Sequence, residues 1–270
     1  MPLAVCATPI GNLEDVTLRV LRELSEADLV LCEDTRHTRR LLDRHGIEAA
    51  RLRSYHEHNE AQRTADVLPQ LEAGKRVALV SDAGMPAVSD PGGRLVAAAL
   101  AAEVPVTVLP GPSAVDTALV ASGFGTDRFQ FLGYLPRGGA ERAALWAELA
   151  RWPHAVVAFE SPQRLAGALA SLAEAFPERP VAVCRELTKR FEEVARGPAK
   201  QLAERFSDGA RGEITIVIGP GEEPAEGADK DAAVAAVSEL VAAGASRRSA
   251  TDVVSRLTGV SRNTLYRGSL

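Results

Sequence analysis

The segment SDAGMPAVSDPGG at residues 81–93 combines residue types that suit a ligand-binding loop. Its glycines permit unusual backbone angles and a close approach to a bound molecule, while its prolines stiffen the chain. Asp82 and Asp90 provide carboxylates that accept hydrogen bonds from hydroxyl or amine groups. A plain connection seldom needs so many constrained residues, so we interpret the segment as a small-molecule site, with a long turn shaped by glycine and proline as the alternative.

Two common phosphate-binding patterns are missing from the sequence. A nucleoside triphosphate loop requires G-x-x-x-x-G-K-[ST], and a dinucleotide fold requires G-x-G-x-x-G after its first strand. Neither pattern occurs. The first strand-like run leads instead into Thr8-Pro9-Ile10-Gly11-Asn12, where proline removes an amide donor that a phosphate would need. A triphosphate ligand is therefore disfavoured.

Arginines are concentrated in two segments, although the formal net charge of the chain is −5. Residues 36–53 contain six arginines and two carboxylates, and residues 244–270 contain five arginines and one carboxylate. Each segment therefore has a net charge of +4. Arg36, Arg39 and Arg40 open a helical pattern directly after a strand-like run, where guanidinium groups can pair with RNA phosphates. A solvated helix face, or contact with the carboxylates of a small substrate, is the alternative.

Four polar residues, His56-Glu57-His58-Asn59, follow Tyr55. Two imidazoles two residues apart share one face of an extended chain, but the spacing indicates no third metal ligand. Contacts of His56, His58 and Asn59 with a polar substrate are therefore favoured over a metal site. The three cysteines are widely spaced in apolar runs, which argues against zinc and disulfides. We expect no bound metal.

The elements that must position these residues alternate between strands and helices. Apolar runs alternate with segments of three- and four-residue periodicity, which predicts a largely parallel sheet covered by helices. The runs are 3–10, 27–34, 76–82 and 104–112, and the helical segments are 17–27, 59–74 and 93–103. Parallel strands end at one edge of their sheet, so the segments 8–17, 81–93 and 109–114 should form three converging walls of one site.

The rest of the chain predicts a second α/β unit and a helical tail. Strands are expected at 129–135, 154–160, 180–187, 191–197 and 213–220, and helices at 113–123, 139–151, 162–176 and 199–206. The predicted domains are 1–115, 116–222 and 223–270. The last begins with an acidic linker that extends to residue 231, and continues as three helical pieces similar to a helix-turn-helix. Those helices either dock on nucleic acid or serve as a packing appendage or dimer contact.

The composition agrees with an α/β protein in the cytoplasm. Hydrophobic residues make up 46% of the chain and aromatic residues only 4%, as in sheets packed with small aliphatic side chains. The longest apolar stretch, 95–102, is far shorter than the roughly 20 residues of a membrane-spanning helix. The N-terminal residues lack the basic region of a secretion signal. We expect a cytoplasmic protein with no membrane partner.

Nine motifs follow one another along the chain: ATPIGNLEDVTLR, LCEDTRHTRRLL, SYHEHNE, VALVSDAGMPAVSDPG, VLPGPSA, FLGYLPR, FESPQRL, CRELTKRFEE and GEITIVIG. In this order they resemble the tetrapyrrole-methylase (class III) family of S-adenosylmethionine-dependent enzymes, and within it the branch that methylates small-subunit ribosomal RNA. The resemblance covers roughly residues 4–220. So many motifs in one order are far more specific than a single glycine pattern.

The resemblance implies two α/β domains, usually in a homodimer, with S-adenosylmethionine in the cleft between the domains. The expected cofactor contacts in the first domain are Pro9, Asp82, Gly84, Met85, Ser113 and Ala114. The second domain is expected to close the site with the strand ends at Glu160, Arg185-Glu186 and Ile214-Thr215, Arg185 being counted among the substrate contacts.

The product implied for this branch is a 2′-O-methylated cytidine near the decoding centre of 16S ribosomal RNA. A ribose hydroxyl is a weak nucleophile, so a base or a nearby charge should assist, and Glu186 and Lys189 are the candidates. An ordinary salt-bridged strand edge is the alternative for both residues. Methylation of a corrin or porphyrin precursor, or a non-catalytic role in RNA binding and assembly, remain the alternative functions.

Overall fold

The computed structural model describes residues 2–48, 51–150, 152–221, 226–258 and 260–270. Within these ranges the chain divides into two compact units. The first unit extends to Ala144 and resumes over His154–Gly219. The second contains Leu145–Pro153 and Pro220–Leu270. The expected α/β class is confirmed, since the first unit contains two sheets with helices packed against them.

The first sheet has five parallel strands in the order β3-β2-β4-β1-β5. Its strands are β1 (Leu3–Cys6), β2 (Leu29–Cys32), β3 (Leu52–Ser54), β4 (Val77–Leu79) and β5 (Val106–Leu109). The helices that connect them are α1 (Leu18–Glu26), α2 (Thr35–Arg44), α3 (Glu60–Glu72) and α4 (Gly93–Ala101). The short strand β3 was not expected, because its sequence Leu-Arg-Ser is not an apolar run. Its residues are only partly buried.

Alternating side chains along the strands bury both faces of this sheet. Leu3 and Val5 of β1 pack with residues of α3 and α4, whereas Ala4 and Cys6 pack with residues of α1 and α2. Period-two alternation places successive residues on opposite faces. Since both faces are apolar, the strands appear in the sequence as continuous hydrophobic runs, which is why four of the five were predicted.

The second sheet is mixed, with the order β6-β7-β10-β8-β9. Only β6 and β7 are parallel, and the other three pairs are antiparallel. Its strands are β6 (Phe129–Tyr134), β7 (Ala155–Glu160), β8 (Pro180–Arg185), β9 (Glu193–Pro198) and β10 (Ile214–Ile218). The helices of this part are α5 (Ala114–Ser122), α6 (Gly139–Leu149), α7 (Leu165–Ala175) and α8 (Ala199–Arg205).

Helix α5 follows the last strand of the first sheet but packs on the second. Val115, Ala118 and Leu119 share a buried cluster with Val157 of β7 and Cys184 of β8, among others. The chain therefore passes from one sheet to the other at the start of α5. The predicted boundary between domains 1–115 and 116–222 falls close to that point. It stays a prediction, because both sheets belong to one compact unit.

The second unit contains the helical tail. Its helices α9 (Glu226–Ala242), α10 (Arg247–Thr258) and α11 (Arg262–Gly268) enclose a small core that includes Val237, Val254 and Leu265. Helix α9 begins inside the segment expected to be a linker. Residues 222–225 of that segment lie outside the described residues. No helix in the described ranges is long and apolar enough to cross a membrane.

Candidate functional site

The carboxyl ends of three strands of the first sheet converge, as the sequence predicts. Thr8, after β1, exchanges two backbone hydrogen bonds with Gly84, at N···O distances of 2.8 and 3.0 Å. Gly111, after β5, lies against Ala7: a Cβ atom at this glycine would be 2.9 Å from the Ala7 Cβ. The segments that follow β1, β4 and β5 are therefore held against one another by close backbone contacts.

The loop 81–93 has an unusual backbone. Gly84 and Gly92 have positive φ angles of 77° and 139°, which glycine adopts at low cost. Ala87 and Ser89 also have positive φ, 69° and 63°, a left-handed conformation that costs a residue with a side chain about 1–2 kcal/mol. Such strain persists where the surroundings enforce it, and it is concentrated at functional sites.

A carboxylate of α3 anchors the far end of this loop. Glu60 Oε1 accepts hydrogen bonds from the backbone N–H groups of Gly92 and Arg94, at 3.0 and 3.3 Å, and from the hydroxyl of Tyr55 at 3.2 Å. The Gly92 amide immediately precedes α4 and the Arg94 amide lies in its first turn. A negative charge is favourable at the start of a helix. The loop is thus fixed at Gly84 and again at Gly92.

A cavity of about 650 Å³ opens above these strand ends and is lined by residues of both sheets. Its floor is formed by Ile10, the loop 81–93 and the segment 110–116, and its other walls by Tyr134, Phe159–Pro162 and Gly212–Thr215. Five of the described lining residues are carboxylates and none is Lys, Arg or His: Asp82, Asp90, Asp116, Glu160 and Glu213. A volume of this size suits a small molecule, and the charge suits a cationic one.

Glu160 ends β7 with a buried carboxylate that is only partly satisfied. Its Oε1 accepts a hydrogen bond from the backbone N–H of Ser161 at 2.7 Å and pairs with Arg164. Its Oε2 is buried and has no hydrogen-bond partner. Burial raises the pKa of Glu160, against the opposite effects of the Ser161 amide and Arg164. An unpaired buried acceptor in a cavity wall is a natural contact for a ligand donor, because leaving it unpaired is costly.

Asp90 is the second cavity carboxylate with a perturbed pKa. Burial raises its pKa to about 6, and the neighbouring carboxylates Glu33, Asp82 and Glu213 act in the same direction. The Ser81 hydroxyl has the opposite effect. Burial disfavours the charged form and like charges close together disfavour it further, which is why the pKa of this aspartate differs from that of an exposed one.

Eight of the nine residues expected to contact the cofactor line this cavity. They come from the loop 81–93, the start of α5, and the ends of β7 and β10: Asp82, Gly84, Met85, Ser113, Ala114, Glu160, Ile214 and Thr215. Pro9 does not line it; the neighbouring Ile10 does. Ser113 also caps α5, since its hydroxyl accepts the backbone N–H of Asp116 at 3.3 Å. The structure thus gathers these residues around one space, and their role as cofactor contacts remains a proposal.

Glu186 and Lys189 lie beside the cavity, joined to its wall through Glu213. Lys189 Nζ donates to Glu186 Oε1 at 3.0 Å and forms an ion pair with Glu213 Oε2 at 2.9 Å. The backbone N–H of Glu213 also donates to Glu186 Oε1, which lowers the pKa of Glu186 together with Lys189. Glu186 is therefore a stabilised anion and a weak proton acceptor. Gly11, after β1, packs on Lys189: a Cβ atom at this glycine would be 2.5 Å from Cγ of the lysine.

Arg185 lies away from this cavity. It lines a separate surface depression of about 460 Å³ together with Arg205 and Arg211. Its guanidinium donates twice to Glu193 Oε2, at 2.9 and 2.7 Å, and Arg205 pairs with the other oxygen of Glu193 at 2.7 Å. In the sheet Arg185 is paired with Ile214, which lines the larger cavity, but Arg185 itself lines only the separate depression.

The three arginines of α2 are exposed next to the loop 81–93. Arg36 pairs with Asp34 at 2.7 Å, while Arg39 and Arg40 point into solvent one turn further along. The backbone N–H of Asp34 donates to Asp82 Oδ1 at 3.0 Å. The N-cap residue of α2 is therefore hydrogen-bonded to the cavity wall, and the three arginines follow in the first turns of that helix.

His56 and Asn59 form a local turn. The Asn59 side chain accepts the backbone N–H of His56 at 2.9 Å and its amide nitrogen lies 3.0 Å from His56 Nε2. His58 is exposed. None of these three residues lines the cavity, and their contact with substrate stays a prediction. Within the described ranges, no group of three or more His, Cys, Asp or Glu residues is arranged to hold a metal ion.

Several cavity residues were not singled out from the sequence. Tyr134, Phe159, Ser161 and Pro162 belong to the motifs FLGYLPR and FESPQRL, and Glu213 is the second residue of GEITIVIG. Their motifs were noticed, but which side chains face the site depends on the contact between the two sheets. The Tyr134 and Phe159 rings pack edge to face at 5.6 Å between centroids.

The chain is similar in sequence to several curated proteins. The chain is 45% identical over 266 residues to a protein of Micromonospora olivasterospora named ribosomal RNA small subunit methyltransferase I, a match that covers 98% of this chain and 85% of the relative. A protein of the same name from Mesorhizobium japonicum is 49% identical over 173 residues, or 64% of this chain and 58% of the relative.

Solved structures share the fold. A uroporphyrin-III C-methyltransferase from Thermus thermophilus is 25% identical and covers 80% of this chain and 93% of its own, with a TM-score of 0.57. A structure of that enzyme complexed with S-adenyl homocysteine is 23% identical over 80% of this chain and 96% of its own, again with a TM-score of 0.57. The profile of the Tetrapyrrole (Corrin/Porphyrin) Methylases matches residues 2–203, and the chain belongs to this family.

Proposed function

We propose that this protein transfers a methyl group from S-adenosylmethionine to the ribose 2′-oxygen of a cytidine in 16S ribosomal RNA, near the decoding centre. The observation that carries the proposal is the acidic cavity at the strand ends, which five carboxylates line without a cationic side chain. The names of the sequence relatives support small-subunit ribosomal RNA as the substrate.

The cavity fits the proposed cofactor. S-adenosylmethionine carries positive charge on its sulfur and its amine, which a carboxylate-lined space favours and a phosphate-binding loop would not. The unpaired Glu160 Oε2 offers an acceptor for a donor group of the ligand. The positive φ of Gly84 lets the backbone of the loop turn at the cavity wall.

The residues of this chain contribute mainly by positioning. When bound, S-adenosylmethionine supplies an electrophilic methyl group on a positively charged sulfur. Methyl transfer needs that carbon in line with the ribose oxygen at about 3 Å, and fixed geometry of this kind provides much of an enzyme's rate. The loop 81–93, tied down at Gly84 and Gly92, and the start of α5 at Ser113 and Ala114 would hold one side of the cofactor. Glu160, Ile214 and Thr215 would hold the other.

Glu186 and Lys189 would set the net charge beside the cavity. The ion pairs of Lys189 offset the negative charge of Glu213 at the cavity wall. A cation held there can also favour the developing charge on a ribose oxygen. Because the pKa of Glu186 is lowered, we assign it the role of fixing Lys189.

The RNA would approach along α2. Arg36, Arg39 and Arg40 are exposed at the edge of the sheet where the cavity lies, and guanidinium groups bind phosphates by paired hydrogen bonds. His56, His58 and Asn59 follow β3 at the same edge and would add polar contacts. Arg185, with Arg205 and Arg211, would contact a more distant part of the RNA backbone.

A methyl-incorporation assay tests the proposal. The protein is incubated with radiolabelled S-adenosylmethionine and, in separate reactions, immature 30S particles, naked 16S ribosomal RNA or uroporphyrinogen, and any incorporated methyl group is mapped. Label on the 2′-oxygen of one cytidine is expected. Label on the porphyrin alone would establish a tetrapyrrole methyltransferase instead. No label despite measurable cofactor binding would favour a non-catalytic assembly factor.

We also propose a cytoplasmic homodimer, bound to the small ribosomal subunit. Val108 on the edge strand β5 and Val120 on α5 are 54% and 71% exposed, and apolar side chains of this size favour burial in an interface. Sedimentation of the purified protein would show a mass twice that of the chain.

A further inference from the structure

The helical tail carries a group of arginines that lies outside the cavity and its walls. Helices α10 and α11 together contain five arginines and a single carboxylate, Asp252. Helix α9, in the same compact unit, has the opposite balance, with four carboxylates and one lysine. Charge is therefore segregated within this small unit, and α10 and α11 are its basic helices.

One side of α10 is basic and exposed. Arg248, Asp252 and Arg256 follow one another at four-residue intervals, which places them on the same side of the helix. The opposite side is buried, because Ala250 and Val254 pack in the core of the unit. Arg248 and Arg256 are exposed, and within the described ranges neither forms an ion pair. Both guanidinium groups are therefore available to a ligand.

An ion pair joins α11 to this side of α10. Arg262 Nε lies 2.8 Å from Asp252 Oδ1, across the short connection between the two helices. Tyr266 stands one turn after Arg262, so it lies on the same side of α11, and it is 46% exposed. Together Arg248, Arg256, Arg262 and Tyr266 form one surface, the basic strip.

Helix α11 is well anchored in the unit although it has only seven residues. Ser261 caps it, since the Ser261 hydroxyl accepts the backbone N–H of Thr264 at 3.2 Å. Leu265 is fully buried in the core. Gly268 packs on α9, because a Cβ atom there would be 2.7 Å from Cγ2 of Val234. The exposure of the tyrosine at 266 therefore follows from the packing of α11, which turns that ring away from the core.

The chemistry of the basic strip fits single-stranded RNA. Guanidinium groups bind phosphate oxygens by paired, charge-assisted hydrogen bonds. An aromatic ring among such groups offers a stacking surface for an unpaired base, and proteins that bind single strands combine these two features. Arginines alone would also attract an acidic peptide, but the exposed ring of Tyr266 beside Arg262 favours a ligand that has both phosphates and bases.

We propose that the basic strip is a second RNA-binding surface, which holds a single-stranded segment of the substrate RNA. The inference rests on the proposed function, since it takes 16S ribosomal RNA as the substrate. Phosphates would bind Arg248, Arg256 and Arg262, and a base would stack on Tyr266. The strip belongs to the second compact unit and the cavity to the first, so the strip contributes affinity and no group to methyl transfer. Two linked contacts on one RNA raise the overall affinity above that of either contact.

Filter binding to 16S ribosomal RNA tests the phosphate contacts. The strip variant Arg248→Gln, Arg256→Gln retains the ion pair between α10 and α11. The matched control Arg51→Gln, Lys75→Gln removes the same charge from exposed residues of the first unit. At physiological salt the strip variant should bind about tenfold more weakly than the control, and its slope of log affinity against log salt should decrease by about 0.7 for each lost contact. Equal affinities and slopes in the two variants would overturn the proposal.

Two substitutions of Tyr266 test base stacking. Tyr266→Leu should lower RNA affinity by at least about fivefold, because the stacked base loses its partner. Tyr266→Phe keeps the ring and should bind RNA within about twofold of the wild type. Equal losses in the two variants would show that the ring does not stack on a base, and would overturn a stacking site at Tyr266.

Ultraviolet crosslinking locates the contact without any methyl transfer. Trypsin cleaves after Arg262 and Arg267, so Tyr266 falls in the peptide NTLYR, residues 263–267. After irradiation of the complex with 16S ribosomal RNA, mass spectrometry should find this peptide joined to a nucleotide. Crosslinks in other peptides and none in this one would contradict the proposal.

Steady-state methylation of 30S particles separates binding from catalysis. In the strip variant, KM for the particles should rise about tenfold while kcat stays within about twofold of the wild type. Its affinity for S-adenosylmethionine, measured by calorimetry, should be unchanged. A lower kcat at an unchanged KM would place the strip in the catalytic machinery and overturn its role as a binding surface.

Contact with a second copy of the chain is the other use of this surface. Val253 and Leu257 border the strip and are 38% and 80% exposed. A strip variant that sediments at a lower mass and keeps full RNA affinity would assign the surface to a dimer and overturn the proposal. A protein that binds RNA through the strip but transfers no methyl group would support the strip and overturn the proposed function. Methylation of 16S ribosomal RNA, with the strip variant equal to its control in RNA affinity, would overturn the strip alone.

Discussion

Asp82 Oδ1 accepts the backbone N–H of Asp34 at 3.0 Å, so a single carboxylate of the cavity wall holds the first residue of the turn that starts α2. Asp34 in turn caps α2, because its own carboxylate accepts the backbone N–H of Arg36 at 2.8 Å. The helix that carries the proposed RNA contacts is thereby connected to the proposed cofactor site through two consecutive hydrogen bonds.

Replacing Asp82 by alanine should weaken cofactor binding. A hydrogen bond to a charged group contributes about 1.5–3 kcal/mol, so the dissociation constant for S-adenosylmethionine should increase at least tenfold. Asp82→Asn is the matched control, since its carbonyl oxygen can still accept the Asp34 amide, and it should lose less affinity than alanine. Isothermal titration calorimetry measures both. Equal affinities for the wild type and Asp82→Ala would remove Asp82 from the cofactor site.

Gly111→Ala should separate two walls of the cavity. The new Cβ would be 2.9 Å from the Ala7 Cβ, closer than two carbon atoms can pack, and relief requires the segments after β1 and β5 to move apart. Overpacking of this kind costs about 1–3 kcal/mol, and cofactor affinity should fall with stability. Gly125→Ala is the control, because a Cβ there meets no atom within 4 Å. Thermal unfolding and calorimetry check the pair, and similar effects of the two substitutions would contradict this account.

The sequence predicted most of this site because the residues that build its floor are adjacent to strand ends. The loop 81–93 and the segment at Ser113 follow parallel strands, and parallel strands bring such ends together whatever the details of packing. The second wall was harder to predict. Tyr134 and Phe159 belong to the second sheet, and no local pattern encodes where that sheet lies relative to the loop 81–93.

The pKa values at the site also required the structure. Asp82 and Asp90 have the same side chain and stand eight residues apart in one loop. Only the folded chain shows that Glu33 and Glu213, from distant segments, lie near enough to raise the pKa of Asp90. In the same way, the sequence indicated Glu186 and Lys189 as candidates but could not place Glu213 as their shared neighbour.

Cofactor binding should release protons through Glu160. Its pKa is raised by burial, and a ligand donor on the unpaired Oε2 would favour the ionised form and lower that pKa. Affinity should therefore increase with pH in the range over which Glu160 ionises. Calorimetry at pH 5.5 in buffers of different ionisation enthalpy measures the protons released. Glu160→Gln should release fewer protons than the wild type, and an unchanged number would exclude Glu160 as a cofactor contact.

Reversing two charges on α2 should affect RNA and leave the cofactor site intact. The double variant Arg39→Glu, Arg40→Glu places carboxylates where phosphates are proposed to bind, so methylation of 30S particles should fall by at least tenfold. Each phosphate contact that is lost also reduces the slope of log affinity against log salt by about 0.7 for single-stranded RNA. The matched control is Arg51→Glu, Lys75→Glu, which makes the same charge change at residues just before β3 and β4, at the opposite edge of the sheet. Filter binding at several salt concentrations measures RNA affinity, and calorimetry measures affinity for S-adenosylmethionine. Equal losses of RNA affinity in the two double variants would show an effect of net charge alone. A parallel loss of cofactor affinity would show that the fold is disrupted.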